Sequence, residues 1–271
     1  MNQVSNKTIV ITGASRGIGE AAARHFGNAD AHVVLAARSE AQINAIAKEI
    51  NEGGGTATAI RCDVSQPDDV EKLINTAVEE TGSIDVLINT AGMIDPIARL
   101  ADSDPDAWGQ IVDVNFKGVY HGLRYAIPEM VRAGGGTIIN ISSGAATSAL
   151  EGWSHYGATK AAVLSRTRVA HKEYGDQGVR GVGLSPGTVA TGMQVAIKAS
   201  GINPVSQLDL DVHIPPEWVA KALMWLCGPE ADPYLGTDFS IKTDEGRKAV
   251  GLSPTAQEQA TSALSQQGPP R

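Results

Sequence analysis

The segment KTIVITGASRGIGEAAARHF, residues 7–26, joins a short apolar run to a helical pattern through a glycine-rich turn. In that turn Gly13, Gly17 and Gly19 follow the spacing Gly-x-x-x-Gly-x-Gly, one residue longer than the common dinucleotide-binding fingerprint. Glycines placed in this way let a pyrophosphate approach the backbone at the N-terminus of a helix. Because glycine-rich turns also occur without a ligand, the pattern alone leaves a purely structural turn open.

The alternation of short apolar runs with helical patterns continues to about residue 227. Strands that alternate with helices are typical of βαβ units with right-handed crossovers, which form a parallel sheet covered on both faces. We therefore predict an α/β fold, a single-domain Rossmann fold with a doubly wound parallel sheet. The predicted strands are residues 7–12, 32–37, 56–61, 84–89, 136–142 and 179–185, and the predicted helices are residues 17–28, 39–51, 67–81, 105–133, 154–175 and 216–227.

The predicted organisation is one domain followed by a polar tail. A chain of 271 residues is long enough for one α/β domain with a full core, and it contains no repeat or domain linker. We assign residues 1–252 to a dinucleotide-binding domain and the polar residues 253–271 to a flexible tail. Pro128 lies inside a long helical pattern and is expected to kink that helix near its end.

The composition argues against several functional classes. A net charge of −8 disfavours nonspecific nucleic-acid binding, and no apolar run approaches the roughly 20 residues of a membrane helix. The opening MNQVSNK lacks the regions of a signal peptide, so we expect a cytoplasmic protein. Cys62 and Cys227 stand far apart and the histidines are scattered, so we expect buried thiols and no metal site.

The end of the second predicted strand bears on the choice of cofactor. A site for NAD usually places an acid here, which accepts hydrogen bonds from the ribose 2′-hydroxyl group. This strand ends instead with Ala37 and Arg38. A guanidinium binds a 2′-phosphate bidentately, and Arg16 in the glycine loop is a second candidate for the same phosphate. Either arginine alone would be an ordinary solvated loop residue, but together with the missing acid they predict NADP(H).

Two later turns supply further candidate cofactor contacts. Asp63, after the third strand, is placed either to accept a hydrogen bond from the adenine amino group or to cap the following turn. The turn NTAG, Asn89 to Gly92, follows the fourth strand and places small residues where a cofactor would pass over the carboxyl edge of the sheet.

The segment SHYGATKAA, residues 154–162, places Tyr156 and Lys160 one helical turn apart. A free phenol has a pKa of about 10 and exchanges protons poorly at neutral pH. A nearby cation favours the phenolate and lowers that pKa, so Lys160 would make Tyr156 an acid and base for interconverting a ketone and an alcohol. Lowering the pKa from about 10 to about 7 takes roughly 4 kcal/mol of differential stabilisation, which requires a shielded site.

The chain resembles the short-chain dehydrogenase/reductase family, in its common form of about 250 residues. The resemblance extends from residue 7 to about residue 228 and rests on motifs in the family's order: the glycine loop, the Asn-x-Ala-Gly turn, Asn115, a serine before a tyrosine, Tyr156-x-x-x-Lys160 and Pro186-Gly187. It implies that the catalytic serine is the one about thirteen residues before the tyrosine, Ser143 rather than Ser142.

The resemblance also implies a role for each site residue. The implied catalytic residues are Asn115, Ser143, Tyr156 and Lys160. The serine would bind the carbonyl oxygen, the asparagine would organise water and the lysine for a proton relay, and the lysine would also bind the nicotinamide ribose. The implied cofactor-binding residues are Gly13, Ser15, Arg16, Gly17, Ile18, Gly19, Arg38, Asp63, Val64, Asn89, Ala91, Gly92, Tyr156, Lys160, Pro186, Gly187, Val189 and Thr191. From the residues alone, Asn115 reads better as an asparagine bonded to local backbone, His155 as a pocket-edge or packing residue, and His121 as a structural residue.

Two features depart from the family's pattern. Thr90 replaces the second asparagine of an Asn-Asn-Ala-Gly turn, and the C-terminal stretch GTDFSIKTDEGRKAVGL lacks the usual Val-Asp-Gly-Gly turn. Family tetramers often use that region at an interface, so the resemblance implies a homo-oligomer and leaves homodimer versus homotetramer open. Trp153, beside the tyrosine, is similar to a feature of sepiapterin- and benzil-reductase-like members.

We predict an NADP(H)-dependent carbonyl reductase or alcohol dehydrogenase with a small neutral carbonyl or alcohol substrate. The segment at about 192–214, which would cover the substrate, has no cluster of arginines to bind an anionic one. A lyase or epimerase that uses the Tyr156–Lys160 pair without net redox change is the alternative. A noncatalytic nucleotide sensor is a third hypothesis, but a sensor would be expected to have lost one of the four catalytic residues. The direction of the reaction stays open.

Overall fold

A computed structural model describes residues 3–252, whose strands form one seven-stranded parallel sheet in the order β3-β2-β1-β4-β5-β6-β7. The strands are β1 (Thr8–Thr12), β2 (His32–Ala37), β3 (Thr56–Arg61), β4 (Val86–Asn89), β5 (Gly136–Ile141), β6 (Val179–Ser185) and β7 (Asp238–Ser240). The strand order reverses at β1, which pairs with β2 on one side and with β4 on the other. Ligands of open α/β sheets bind at such a switch point, outside the carboxyl ends of the strands.

Helices connect the strands and cover both faces of the sheet. They are α1 (Gly17–Gly27), α2 (Glu40–Glu52), α3 (Pro67–Thr81), α4 (Pro105–Val112), α5 (Gly118–Arg132), α6 (Ser154–Tyr174), α7 (Gly192–Ser200), α8 (Pro216–Leu226) and α9 (Asp244–Val250). In β1, Ile9 and Ile11 face the apolar layer that contains α1, α2 and α8, whereas Val10 faces the layer that contains α3, α5 and α6. All three side chains are fully buried, and each contributes about 1.5–3 kcal/mol relative to an exposed position.

The predicted doubly wound parallel sheet is confirmed, and each of the six predicted strands lies within two residues of an observed one. Three short elements, β7, α7 and α9, were not predicted. They are three, nine and seven residues long, which is too short for a clear periodicity of apolar residues. The single helix predicted over 105–133 is wrong in detail, because a π-helical turn at Asp113–Lys117 separates α4 from α5. Helix α5 passes through Pro128 and ends at Arg132.

The predicted tail, residues 253–271, lies outside the described residues. Within residues 3–252, no helix has both the length and the apolar character needed to cross a membrane. The same part of the chain contains no group of three or more His, Cys, Asp or Glu side chains arranged to hold a metal ion.

Candidate active site

The glycine loop after β1 packs tightly against the turn that follows β4. Gly13 has a φ of +69°, and a Cβ on it would lie 2.7 Å from the Cα of Ala91. A Cβ on Gly19 would lie 2.3 Å from the Gly13 carbonyl oxygen. Thr90 donates its hydroxyl hydrogen bond to the Thr12 carbonyl, so the threonine that replaces the family's asparagine ties β4 to β1. The loop is therefore held by backbone contacts that leave no room for a side chain at Gly13 or Gly19.

Helix α1 begins in this loop without a side-chain cap. Its N-cap residue is Arg16, which is extended and makes no capping hydrogen bond. The first backbone N–H groups of a helix have no partner within the helix and carry its positive dipole end. Glu20 lies in the first turn, but its carboxylate accepts a hydrogen bond from Arg24 at 2.9 Å. This helix N-terminus therefore has the donors that a phosphate needs.

The strand β2 ends at Ala37 and is followed by Arg38, with no acid at this point. Ala37 is buried, whereas Arg38 and Arg16 are exposed. Neither arginine forms an ion pair with another of residues 3–252. Both guanidinium groups are therefore open to an anionic partner from solution.

After β3, the Asp63 side chain and the Val64 carbonyl make hydrogen bonds within the protein. The Asp63 carboxylate accepts hydrogen bonds from the backbone N–H of Ser65 at 3.0 Å and from its hydroxyl at 2.8 Å. This is the turn-capping alternative considered from the sequence, and the adenine contact stays a prediction. The Val64 carbonyl oxygen lies 2.9 Å from Nδ1 of His121, which agrees with the packing role expected for that histidine.

The side chain of Asn89 points into the protein. Its Nδ2 donates to Oδ1 of Asn140 at 2.8 Å, and Asn140 in turn donates to Oγ1 of Thr167 at 2.9 Å. All three side chains are buried between the sheet and α6. At this turn only the backbone of Asn89 and the small residues Ala91 and Gly92, which are partly exposed, are at the edge of the sheet.

The loop after β6 approaches the glycine loop. Pro186 is buried, Gly187 has a φ of +82°, and Val189 forms an isolated bridge with Ile214. A Cβ on Gly17 would lie 3.1 Å from the side-chain methyl group of Thr191, which precedes α7. A cavity of about 560 Å³ lies where the two loops meet, and its lining includes Gly17, Thr191, Gln194 and His213. The structure thus brings these predicted cofactor residues to one rim of the sheet.

Tyr156 and Lys160 lie together near the start of α6, and both side chains are buried. The Lys160 Nζ is 5.6 Å from the centre of the Tyr156 ring and donates a hydrogen bond of 2.7 Å to the Ile141 carbonyl oxygen. The pair predicted from its spacing therefore shares one face of the helix, next to the carboxyl end of β5.

The two consecutive serines after β5 face different partners. The Ser143 side chain lies close enough to the Tyr156 phenol to lower its pKa, and its Oγ accepts a hydrogen bond from the Ala145 backbone N–H at 3.2 Å. Ser142 is buried and donates its hydroxyl hydrogen bond to Oδ2 of Asp238 at 2.6 Å. Of the two serines, Ser143 is the one beside the phenol.

Asn115 lies in the π-helical turn and is almost completely buried. Its Oδ1 accepts a hydrogen bond from the Met93 backbone N–H at 2.8 Å, and its Nδ2 donates to the Met93 carbonyl at 2.8 Å. Nδ2 also lies 3.4 Å from Oγ1 of Thr159, on the helix that carries the tyrosine. The local backbone partner considered from the sequence is therefore wrong, because Met93 is distant in the chain, and Asn115 joins the loop after β4 to α6.

Burial controls the protonation of the Tyr156–Lys160 pair. It raises the pKa of Tyr156, an effect that the nearby Ser143 side chain partly offsets. It also lowers the pKa of Lys160 to about 8, and the negative charge of Asp238 partly offsets that shift. The expected lowering of the tyrosine pKa is thus wrong for this structure, because the ammonium bonds to a carbonyl and the phenol has lost its hydration.

An apolar cluster beside Tyr156 was not foreseen as a unit. The Trp153 ring packs edge-on against Tyr156, with ring centres 5.5 Å apart. The neighbouring His155 is buried, and its Nε2 lies 2.7 Å from the Ile94 carbonyl oxygen, which agrees with packing, one of the two roles considered for it. Besides Trp153 and Tyr156, the apolar members of the cluster are Ile94, Ala145, Ile197, Ile97, Leu150, Met193 and Val205. They come from four separate segments, so no local sequence pattern connects them.

Comparison with known proteins identifies the family to which this arrangement belongs. The family model of the short chain dehydrogenases matches residues 7–200. The chain belongs to the short-chain dehydrogenase/reductase family. It is therefore an enzyme of an oxidoreductase family that uses a nicotinamide cofactor, NAD or NADP.

Curated family members resemble the chain over most of its length. A 2,5-dichloro-2,5-cyclohexadiene-1,4-diol dehydrogenase of Sphingobium indicum is 33% identical over 252 residues, which cover 93% of this chain and 99% of that protein. The 3beta-hydroxysteroid dehydrogenase 1 of Eggerthella lenta is also 33% identical over 252 residues, with 89% and 94% of the two chains covered.

Solved structures of the family share the fold. A short-chain type dehydrogenase/reductase from Mycobacterium marinum has a TM-score of 0.80 at 30% identity and covers 88% of this chain and 94% of its own. A protein from Burkholderia xenovorans that is assigned to the short-chain dehydrogenases/reductases has a TM-score of 0.80 at 26% identity, with 89% of this chain and 96% of that chain covered. Both agree with the doubly wound sheet described above.

Proposed function

We propose that this enzyme transfers hydride between NADP(H) and a ketone or secondary alcohol, with Tyr156 as the general acid and base. The observation that carries the proposal is the buried pair of Tyr156 and Lys160, with Ser143 beside the phenol. The glycine loop at the same edge of the sheet supports the cofactor, because its uncapped helix N-terminus fits a pyrophosphate.

Each catalytic side chain has a task in the reduction. The bound nicotinamide supplies hydride to the carbonyl carbon. Tyr156 donates its phenolic proton to the carbonyl oxygen, and the Ser143 hydroxyl donates a hydrogen bond to the same oxygen as negative charge develops there. The Lys160 ammonium then stabilises the phenolate until it regains a proton. Asn115 fixes the position of the loop after β4 relative to helix α6, which carries the tyrosine and the lysine.

The protonation states support this assignment. A phenol whose pKa is raised by burial is protonated at neutral pH, which is the form that donates the proton. Lys160, with a pKa lowered to about 8, is mostly charged at neutral pH and loses its charge in mildly alkaline solution. At neutral pH, Tyr156 and Lys160 are therefore both in the protonated form that reduction requires.

The preference for NADP(H) rests on the end of β2. The side chain of Ala37 has no oxygen to accept a hydrogen bond from a ribose hydroxyl group. Arg16 and Arg38 are exposed and have no ion-pair partner among residues 3–252, so they are available to a 2′-phosphate.

The substrate we propose is neutral, with an apolar body. The cluster beside Tyr156, which includes Trp153, Leu150 and Met193, provides apolar and aromatic surface for it. The two curated relatives support an alcohol or ketone, since their names describe a cyclohexadiene diol and a hydroxysteroid as the compounds that they dehydrogenate. Membership of the sepiapterin- or benzil-reductase-like subgroup stays a prediction.

We further propose a homodimer or homotetramer built on the helices α4, α5 and α6. The family resemblance motivates this proposal, and Tyr120 of α5 and Val169 of α6, which are 42% and 48% exposed, are available to contact a second chain. Sedimentation equilibrium at micromolar concentration should give a dimer or tetramer, and a monomer would contradict the proposal. A cytoplasmic location also stays a prediction.

The experiment that tests the proposed reaction is a substrate panel monitored by nicotinamide absorbance. Neutral ketones with apolar bodies should consume NADPH, and the corresponding alcohols should form it from NADP⁺. The Tyr156→Phe protein is the matched control, since it keeps the ring and loses the proton donor. Product formation without any change in absorbance would favour the lyase or epimerase alternative, and no redox turnover with any compound would contradict the proposal.

A further inference from the structure

A buried carboxylate lies behind the catalytic pair, on a strand that the sequence analysis missed. Asp238 begins β7 and lies opposite Gly183 of β6. A Cβ on Gly183 would lie 1.7 Å from Oδ1 of Asp238, so the carboxylate occupies the space that a side chain on β6 would fill. Gly183 thus makes room for an acid on the face of the sheet where Asn140, its partner on β5, bonds to α6.

The contacts of Asp238 lead directly to Lys160. Oδ2 accepts the 2.6 Å hydrogen bond from Ser142, and Oδ1 is buried without a hydrogen-bond partner among residues 3–252. Ser142 follows Ile141, whose carbonyl oxygen accepts the hydrogen bond from Lys160 Nζ at 2.7 Å. The carboxylate and the ammonium are therefore held by consecutive residues at the end of β5.

We propose that Asp238 is a positioning residue for Lys160, whose ammonium it keeps charged and bound to the end of β5 through Ser142 and Ile141. This inference rests on the proposed function in so far as the charge on Lys160 matters for turnover. This role differs from a purely structural one. If Asp238 only filled space between β7 and α6, its replacement by asparagine would leave the pKa of Lys160 unchanged.

The charges around the two groups agree with this role. Asp238 faces Arg168 and Lys160 from α6 and the hydroxyl of Ser142 from the end of β5. Burial raises its pKa, while Ser142 and the two cations lower it. Lys160 faces the Tyr156 ring, the Ile141 carbonyl and Asp238, and this carboxylate is the one charge that opposes the lowering of its pKa by burial. Without the carboxylate, the lysine pKa should fall further below about 8.

The test is a lysine titration by NMR in the full-length protein. With ¹³C-labelled lysine, the Lys160 side-chain signal is the one absent from Lys160→Arg, and its midpoint is measured in wild type and in Asp238→Asn. The amide keeps the shape and loses the charge, so we expect the midpoint to fall by about 1 pH unit, the lower end of the effect of an opposite charge. The other lysine signals and the variant Asp106→Asn, which removes an exposed acid from α4, should not shift the Lys160 midpoint.

A reciprocal measurement keeps the inference open to refutation if Asp238→Asn does not fold. Because the interaction of two charges is symmetric, Lys160→Met should raise the pKa of the Asp238 carboxyl group, followed by its ¹³C signal, by the same amount. An unchanged midpoint in the folded variants would overturn the inference. Neither readout uses turnover, so the inference can fail while the reductase proposal stands, and the reverse also holds.

Discussion

The two ends of the proposed site hold their functional groups in opposite ways. At the phosphate end, the backbone of the glycine loop is packed without space for a Cβ, whereas the side chains of Arg16 and Arg38 are exposed. At the reaction end, Tyr156 and Lys160 are buried, and Lys160 donates a hydrogen bond to the Ile141 carbonyl oxygen. The exposed arginines affect the strength and selectivity of cofactor binding. Burial of the tyrosine and the lysine shifts their pKa values, and the proposed chemistry depends on their protonation. Changes at the two ends should therefore have different kinetic signatures.

The largest effect should come from Tyr156→Phe, at the reaction end. Removal of the general acid should lower turnover by roughly 10²–10⁴, while the fold and cofactor binding survive because the ring still packs against Trp153. Steady-state turnover with the best ketone of the panel measures this, with cofactor titration as the control. Turnover close to that of wild type would mean that Tyr156 is not the acid.

Lys160→Met should reduce turnover nearly as much and should also weaken cofactor binding. The methionine keeps the apolar stem but loses the charge and the hydrogen bond to Ile141. Calorimetric titration beside steady-state kinetics separates the two effects. The matched control is Lys172→Met on the same helix, where the side chain is exposed and neither quantity should change. If Lys160→Met bound the cofactor as tightly as wild type, the proposed contact between Lys160 and the nicotinamide ribose would be contradicted.

Arg38→Ala, at the phosphate end, should change selectivity and leave the chemistry intact. Loss of a charge-assisted contact costs about 1.5–3 kcal/mol, so NADPH should bind roughly ten- to a hundred-fold more weakly, whereas NADH should bind almost as before. Arg99→Ala removes an exposed arginine elsewhere and is the control. Equal affinity of wild type for NADPH and NADH would contradict the assigned cofactor preference.

The smallest effect is a pH dependence that belongs to the reaction end alone. Lys160 has a lowered pKa of about 8, so its positive charge is present below that pH and is lost above it. The kcat/KM for reduction should therefore decline above about pH 8, and this decline should be missing in Lys160→Met. A wild-type profile that stays flat up to the ordinary tyrosine pKa of about 10 would show that the charge on Lys160 is not needed.

Much of the site was predictable because its signals are local. The Tyr156–Lys160 pair needed only a helix, and the glycine loop needed only a strand followed by a helix. Other features had no local signal. The partner of Asn115 is Met93, and the cluster around Trp153 draws on distant segments, so both depend on how the elements pack. The wrong expectation for the tyrosine pKa has the same origin, since burial is a property of the packed structure.

The sequence by itself determined the alternation of the first six strands with helices, the turn at Gly13 and the spacing of the catalytic pair, because each depends on neighbouring residues. Only the tertiary structure decided that Ser142 bonds to Asp238, where the Lys160 ammonium bonds and which acid lies behind it. The strand β7 has three residues and no detectable period, yet it brings Asp238 beside residues 96 positions earlier in the chain. Long-range contacts of this kind arise from sheet order and helix packing, and these set the burial and the charges on which the proposed chemistry depends.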